Sequence, residues 1–465
     1  MRWDVVRLLA RPATPIDRRR WLIVAVACAA LTAVVLIGAS IARVSTRLNM
    51  GVAYEFDASG ENLVPQGVPF SPLLTDVHLR PGLVVAAALA CLPPIVLLLQ
   101  ALRVGSLARE RRLTALRTVG ASRTHLRRLA GSEGATAGLA GALAGTVGYL
   151  LAGLASAKAP TQYLRVVPAL DVHDVWLIPL VVVGVTALAG LAARRSVRDV
   201  VVAPQRVAHT VRPLPRRRAV AAVACGATAA LVLVASVQLR LPLLLQDAGA
   251  VLVIALFVAT LLLGAPFIAL AAARRSARGG DAMAVLAAAR VAADPRTPAR
   301  AAAVVAVCAA TIAVAGVVGV DALARTWQPD ASASAFVLSG VGLALAMALV
   351  ALLICLVSLV VGATEQMRDG ARSTAVLVAF GVGRADLHRA LVRQLTAVTL
   401  PSASIGAVVA ALAVTLFTEG TAAMLGGVLG VAVAVLAVAG AARLAALLVR
   451  PQIAEATSAD HLRTA

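Results

Sequence analysis

Ten apolar runs of about 20 residues each constrain the fold of this chain more than any other feature. A helix of about 20 apolar residues spans the roughly 30 Å hydrocarbon core of a bilayer. The composition agrees, because 60% of the 465 residues are hydrophobic, which a soluble chain of this length could not cover. We therefore predict an all-α membrane protein with about ten spans, numbered 1 to 10, at residues 22–42, 82–102, 131–155, 174–193, 219–238, 249–271, 301–320, 337–361, 394–417 and 422–448.

The basic residues predict the orientation. Of the 43 Lys and Arg, 36 fall on the side of the membrane that holds the two termini and 7 on the other side. The positive-inside rule therefore predicts a multi-pass protein with both termini in the cytoplasm. Lys158 is the only lysine, a bias typical of GC-rich bacteria, so we expect a bacterial plasma (inner) membrane. The net charge of +21 does not indicate nucleic-acid binding, because the arginines lie in short loops between spans.

The two halves of the chain contain a repeat. Aligning Gly120 with Gly381 carries span 2 onto span 8 and span 3 onto span 9. An even number of spans separates the copies, so the two units are parallel. We predict three regions: a first repeat at 1–210, a central helix pair (spans 5 and 6) at 211–275, and a second repeat at 276–465.

Each repeat begins with a basic, amphipathic cytoplasmic elbow, at Met1–Arg20 and at Met283–Arg300. Asp294-Pro295 predicts the end of the second elbow helix before span 7, since the residue before a proline avoids the helical conformation. The longest outer loop, about 43–81, could form a small cap but is too short for an independent domain.

The loop after span 2 has a pattern that predicts a lever, by which we mean a rigid surface helix joined through a short hinge to a transmembrane helix. Leu113, Leu116 and Val119 recur every three residues, as on one face of a short surface helix. Gly120 can take the left-handed conformation that ends a helix, and Ser122 can cap the next helix, which continues into span 3. A force on the surface helix would then tilt span 3, although a basic loop that only fixes topology is the alternative. The candidate residues of this loop and its second copy are Arg109, Glu110, Arg111, Arg112, Leu116, Gly120, Ser122, Arg123, Arg372, Gly381 and Arg384.

Span 3 also contains an intramembrane acid, Glu133, about 16 Å along the helix from Ser122 at 1.5 Å per residue. An acid at the membrane edge needs a partner, which Arg127, Arg128 or a neighbouring helix could supply. Pairing and a direct role in transport both remain open, and the second copy has Gln394 at this position. A ladder of glycines in span 3 predicts close approach of another helix: Gly134, Gly138, Gly141, Gly145 and Gly148.

The motif E-R-R-L-x-x-L-R-x-x-G-A-S at Glu110–Ser122, followed by the acid and the glycine ladder, resembles the FtsX-like (MacB/FtsX-type) permeases of ABC transporters. The resemblance covers spans 2–4 and 8–10 well and spans 1 and 7 loosely, and the ten-span duplicated layout is similar to that of the larger members. It implies that the loop around Glu110 to Arg123 is a coupling helix for a cytoplasmic ATPase, and that 370–384 is its counterpart.

The same resemblance implies a permease subunit that works with two copies of a separate ATPase and moves or extracts lipids, lipoproteins or peptides, or transmits a signal. The chain departs from the pattern where Ala371 replaces the acid matching Glu110, which implies asymmetric contacts. It also lacks the large outer domain that many relatives use to bind cargo.

The residues present limit the other functions. Lys158 lies in Ser-Ala-Lys-Ala, which does not fit a phosphate-binding loop, so we expect no enzyme activity and ATP bound only by the partner. The dispersed histidines and cysteines predict no metal site and no resident cofactor. Two alternatives are an ion-coupled secondary transporter, which the scarcity of acids at span centres disfavours, and a non-transporting membrane scaffold or regulator. The expected partners are the ATPase and membrane lipids.

Overall fold

The computed structural model describes residues 15–48, 54–56, 63–65, 74, 80–102, 118, 120, 122–159, 165, 167–168, 174–196, 216–238, 243–279, 281–293, 296–325, 331–416, 418 and 420–456. In chain order the helices are α1 (Pro15–Leu48), α2 (Arg80–Ala90), α3 (Leu92–Ala101), α4 (Arg123–Ala157), α5 (Asp174–Ser196), α6 (Arg216–Gln238), α7 (Leu243–Ala277), α8 (Ala282–Ala293), α9 (Arg296–Arg325), α10 (Ala331–Asp369), α11 (Ala371–Ala379), α12 (Arg384–Thr415) and α13 (Thr421–Ala456).

Nine of the ten predicted spans are confirmed as long apolar helices. Within the described residues, nine helices are long and apolar enough to cross a membrane. They are α1, α4, α5, α6, α7, α9, α10, α12 and α13, which correspond to spans 1, 3, 4, 5, 6, 7, 8, 9 and 10. Span 2 is formed by α2 and α3 in series. The chain is thus an all-α membrane protein, as its composition predicts.

Span 2 is broken where we predicted one continuous segment. The break lies at Cys91, and it has a local cause because Pro93 and Pro94 follow almost at once. Proline has no N–H to donate to the preceding turn and is tolerated in the first turn of a helix, where α3 places both. The Cys91 N–H bonds to Ala88 O (3.2 Å), and the Ile95 N–H bonds to Cys91 O (3.2 Å), so hydrogen bonding continues across the bend.

The loop at 43–81, which is predicted to lie on the outer side, contains a small β-hairpin. Strands β1 (Tyr54–Phe56) and β2 (Leu63–Pro65) pair antiparallel, with Glu55 opposite Val64. Beyond it, Leu74 is completely buried against Ile41, with Ile37, Leu83 and Val84 packed around the pair. This single side chain ties the loop to the ends of α1 and α2.

The chain divides into two compact units. Unit 1 comprises residues 1–98, 121–198 and 330–340, and unit 2 comprises residues 99–120, 199–329 and 341–465. The central pair, α6 and α7, lies in unit 2, where α7 packs on α8, α9 and α12. The three-region division at 210 and 275 stays a prediction.

In unit 1, α4 packs against both α1 and α5 through the predicted glycine ladder. Gly134 and Gly138 face Ala193 and Ala189 of α5, while Gly141 and Gly145 face α1. A Cβ at any of these four glycines would lie less than 3.0 Å from the facing helix. Close approach of backbones maximises van der Waals contact where lipid supplies no hydrophobic drive, so the ladder holds the three helices together.

In unit 2, α9 packs against α12 and α13 and is the most deeply buried of the nine long helices within the described residues. Gly316 of α9 meets Gly426 and Gly430 of α13, with an ideal Cβ at Gly316 lying 2.6 Å from the Gly430 Cα. The elbow helix α8 ends at Ala293, immediately before Asp294-Pro295, which confirms that prediction. Most of the first elbow, residues 1–14, lies outside the described residues.

Candidate functional site

The structure describes the C-terminal end of the first lever loop, which is the loop after span 2. Gly120 has φ +95°, the left-handed conformation that we predicted. Ser122 is the N-cap of α4, and its hydroxyl accepts a hydrogen bond from the His125 N–H (3.3 Å), so the predicted cap is confirmed. Arg123 is the first residue of α4. The candidates upstream lie outside the described residues: Arg109, Glu110, Arg111, Arg112 and Leu116.

The second copy is described throughout its backbone. Helix α11 ends in a Schellman motif: the Gly381 N–H bonds to Val378 O (2.9 Å) and the Val382 N–H bonds to Leu377 O (3.1 Å). Gly381 has φ +93°, which allows both bonds to form. Helix α12 then begins at Arg384, which is exposed, after an extended Gly383 that provides no side-chain cap. Arg372 lies in the first turn of α11.

The two copies share geometry as well as sequence. Gly120 and Gly381, which the repeat alignment pairs, have nearly the same backbone conformation, with φ +95° and φ +93°. In the same alignment Gly145 of α4 pairs with Gly406 of α12. Gly145 faces the carbonyl oxygen of Ala29 in α1, and Gly406 faces that of Ala306 in α9. The left-handed turn and the close contact further along the helix that follows it are therefore both duplicated.

Glu133 finds its partner on a neighbouring helix. Its carboxylate lies 3.6 Å from Nη2 of Arg20 in α1, and both side chains are largely buried. Opposite charges near a low-dielectric region attract strongly and neutralise each other, so the pair fixes α1 against α4 at the membrane edge.

The second copy replaces this ion pair with a neutral contact. Gln394 of α12, the counterpart of Glu133, is 2% exposed and donates from Nε2 to Oε1 of Gln366 in α10 (2.8 Å). The polar position is kept while its charge is lost. The asymmetry predicted from sequence between the two copies therefore includes the contact that follows each lever.

Two features were missed from sequence. Phe380, the C-cap of α11, has 83% of its surface exposed. An aromatic residue among arginines, in a short loop predicted to be cytoplasmic, was the available signal. The other is an ion pair between Asp281, which precedes α8, and Arg393 of α12. The two residues are far apart in the chain, so no local pattern indicates their contact.

The Asp281–Arg393 pair has an electrostatic consequence. The hydrogen bond from Arg393, together with one from the Met283 N–H, holds the pKa of the Asp281 carboxyl below its ordinary value. Asp281 also caps α8 by accepting from that N–H (3.0 Å). One carboxylate thus both begins the elbow helix and ties it to α12, the helix that follows the second lever.

A further ion pair lies at the opposite ends of the unit 1 helices. Arg43 of α1 donates to the carboxylate of Asp174, the first residue of α5, which is almost fully buried. Trp176, close by on α5, is 80% exposed, as expected for an aromatic anchor at the membrane interface. Within the described residues, no group of three or more His, Cys, Asp or Glu side chains could hold a metal ion.

Long apolar helices, together with a duplicated left-handed turn before two of them, define a multi-pass membrane protein. Residues 84–200 match the family model described as FtsX-like permease C-terminal. This stretch runs from α2 to just beyond α5 and includes the first lever loop, Glu133 and the glycine ladder, so the resemblance to FtsX-like permeases is confirmed there. No curated protein and no solved structure matches the chain.

Proposed function

We propose that this protein is the membrane subunit of an ABC transporter and that a separate cytoplasmic ATPase drives it by pressing on two levers. The levers are the surface helix that the sequence predicts at residues 108–120 and helix α11. The observation that carries the proposal is the duplicated stop, Gly120 and Gly381, each placed directly before a long helix. These helices are α4, with 35 residues, and α12, with 32 residues. A motion of the lever is passed to the long helix, because only a short turn of chain separates them.

The proposed ATPase contact on the second lever is Phe380. Large aromatic side chains in the centre of a protein interface commonly account for much of its binding energy. Val376, one turn earlier on α11, is also exposed, so the two side chains provide an apolar surface outside the membrane. On the first lever the proposed contacts are the charged residues Arg109, Glu110, Arg111 and Arg112. Two ATPase copies would then meet two unlike surfaces.

The ion pair of Glu133 argues against ion-coupled transport as the function. A carboxylate that binds a transported ion has to be available to it, whereas Glu133 is held by a buried arginine. We place the protein in a bacterial plasma membrane with both termini in the cytoplasm, and we propose lipids, lipoproteins or peptides as the class of cargo. Export, extraction and signalling all use the same levers.

Affinity purification from native membranes in mild detergent tests the proposal. We expect an ABC ATPase to copurify with the chain and Phe380→Ala to weaken this association about tenfold or more, as loss of a central aromatic anchor does. Trp176→Ala is the matched control, because it removes an equally exposed aromatic residue at the other end of the spans. If no ABC ATPase copurifies, or if Phe380→Ala together with Arg111→Ala leaves binding unchanged, the proposal is wrong.

A further inference from the structure

Unit 2 contains a small pocket, lined in part by polar side chains, that the lever mechanism does not use. Residues of helices α3, α9, α10 and α12 line it, and its space for the centre of a water-sized molecule is about 20 Å³. Four of the residues around it have polar side chains: Gln100, Ser358, Gln366 and Gln394. The remaining lining residues are small or aliphatic: Ala301, Leu359, Gly362, Ala363 and Leu395.

Three deeply buried oxygens in this pocket have no hydrogen-bond partner within the described part of the chain. They are Oε1 of Gln100, Oγ of Ser358 and Oε1 of Gln394, on side chains that are 6%, 0% and 2% exposed. Buried polar atoms in proteins are nearly always hydrogen-bonded, to the protein or to ordered water. Three such oxygens around one cavity on three different helices therefore indicate a ligand that donates hydrogen bonds.

The size of the cavity limits what that ligand can be. A buried water molecule needs about 10–15 Å³ of this kind of space and two to four polar partners. We propose that the pocket is a hydration site for one or two water molecules, which donate to Gln100 Oε1 and Gln394 Oε1 and exchange a hydrogen bond with Ser358 Oγ. A metal cation fits less well, because the described residues that line the pocket include no carboxylate and an uncompensated charge is costly to bury.

Because of the position of the pocket, water bound there would affect how α10 moves against α12. This step alone rests on the proposed function. Gln366 lies in the last turn of α10, and its carbonyl accepts the N–H of Gly370 (3.0 Å), where α10 gives way to α11. Its side chain accepts from Gln394 across the edge of the pocket (2.8 Å). Water beside these amides offers each an alternative partner, so α10 can shift against α12 without leaving buried groups unsatisfied.

Gly362 provides a way to fill the pocket. An ideal Cβ at Gly362 would lie 3.7 Å from Gln100 Oε1, an ordinary contact, so Gly362→Ala should fold normally while taking up the space that water needs. Gly342→Ala is the matched control, because it lies on the same helix and its Cβ would meet nothing within 4 Å. Both changes replace glycine by alanine within a helix, so they affect helix propensity equally.

Radiolytic hydroxyl-radical labelling of the purified full chain in lipid nanodiscs, in ¹⁸O-enriched water, is the experiment. Bound water generates radicals where it lies, so side chains that line a hydrated pocket are oxidised even when buried. We expect Leu395 to incorporate ¹⁸O at least fivefold more than Leu391, which is one turn away on α12 and also buried but does not line the pocket. Gly362→Ala should bring Leu395 down to the level of Leu391, and Gly342→Ala should leave the ratio unchanged.

Two results would overturn the inference. Equal labelling of the two leucines in the unaltered chain would mean that the pocket is dry. A thermal stability that rises with Na⁺ or K⁺ relative to choline, and loses this dependence in Gly362→Ala, would mean that the pocket holds a cation. Both readouts use the chain without an ATPase, so failure here is distinguishable from failure of the proposed function.

Discussion

The contact between α4 and α1 at Gly145 should not tolerate even a methyl group. A Cβ at position 145 would lie less than 3.0 Å from the carbonyl oxygen of Ala29, whereas ordinary van der Waals contact starts near 3.4 Å. The obstacle is backbone, which cannot rotate away, so the two helices must separate by about 1 Å to reach ordinary contact. Forcing extra volume into a packed interface typically costs about 1–3 kcal/mol.

Gly148 on the same helix isolates that cost. Its Cβ would meet nothing within 4 Å, so Gly148→Ala should gain about 0.8–1 kcal/mol of helix propensity without strain. The propensity gain is common to both variants and cancels between them, so the stability difference measures the strain alone. We expect Gly145→Ala to be less stable than Gly148→Ala by about 1–3 kcal/mol, measured by reversible unfolding in bicelles. Equal stabilities would refute the argument that these helices are held by direct backbone contact.

Three further outcomes follow from the charged groups. Glu133→Gln should lower the free energy of unfolding by about 1–3 kcal/mol in the same assay, because it removes the carboxylate that faces the buried guanidinium of Arg20. An unchanged free energy of unfolding would mean that the 3.6 Å pair contributes nothing to stability. The pKa of Asp281 is lowered from its ordinary value of 3.8, so its pair with Arg393 stabilises the fold above that pH. This stabilisation is lost as the pH falls through the folded-state pKa. Asp281→Asn should therefore reduce the dependence of the unfolding temperature on pH between pH 5 and pH 3. Lys158, exposed at the C-cap of α4, should react with a membrane-impermeant amine reagent from outside right-side-out vesicles, and labelling only from the inner side would reverse the topology.

The spans could be predicted because hydrophobic length is a local property. Each predicted run coincides with a helix, or with two in series at span 2, and the helices extend beyond the runs where polar turns continue into the loops, as α10 does to Asp369. The break in span 2 at Cys91 was not predicted, since hydropathy treats Pro93 and Pro94 as part of the apolar run. Gly120 and Ser122 were assigned correctly because helix ends have specific chemical requirements that a few neighbouring residues satisfy.

The contacts between distant segments could not be predicted in the same way. Glu133 clearly required a partner, but several arginines were available and only the packing of α1 on α4 selects Arg20. The pocket at Gln394 depends on several helices meeting, and each of its polar residues alone looks like an ordinary helix position. Its nearest sequence signal was the substitution of an acid by an amide between the two copies, which indicates a changed environment without identifying it.

The glycine contacts of the two repeats also limit how this protein can evolve. Gly145 and Gly406 each face a carbonyl oxygen, a group that every amino acid carries. A larger residue at either position therefore cannot be accommodated by a smaller side chain on the facing helix, because the carbonyl oxygen would remain in place. Glu133 and Gln394 show that paired positions can differ between the copies where each finds its own partner, whereas the carbonyl oxygen that faces each of these glycines permits no such adjustment.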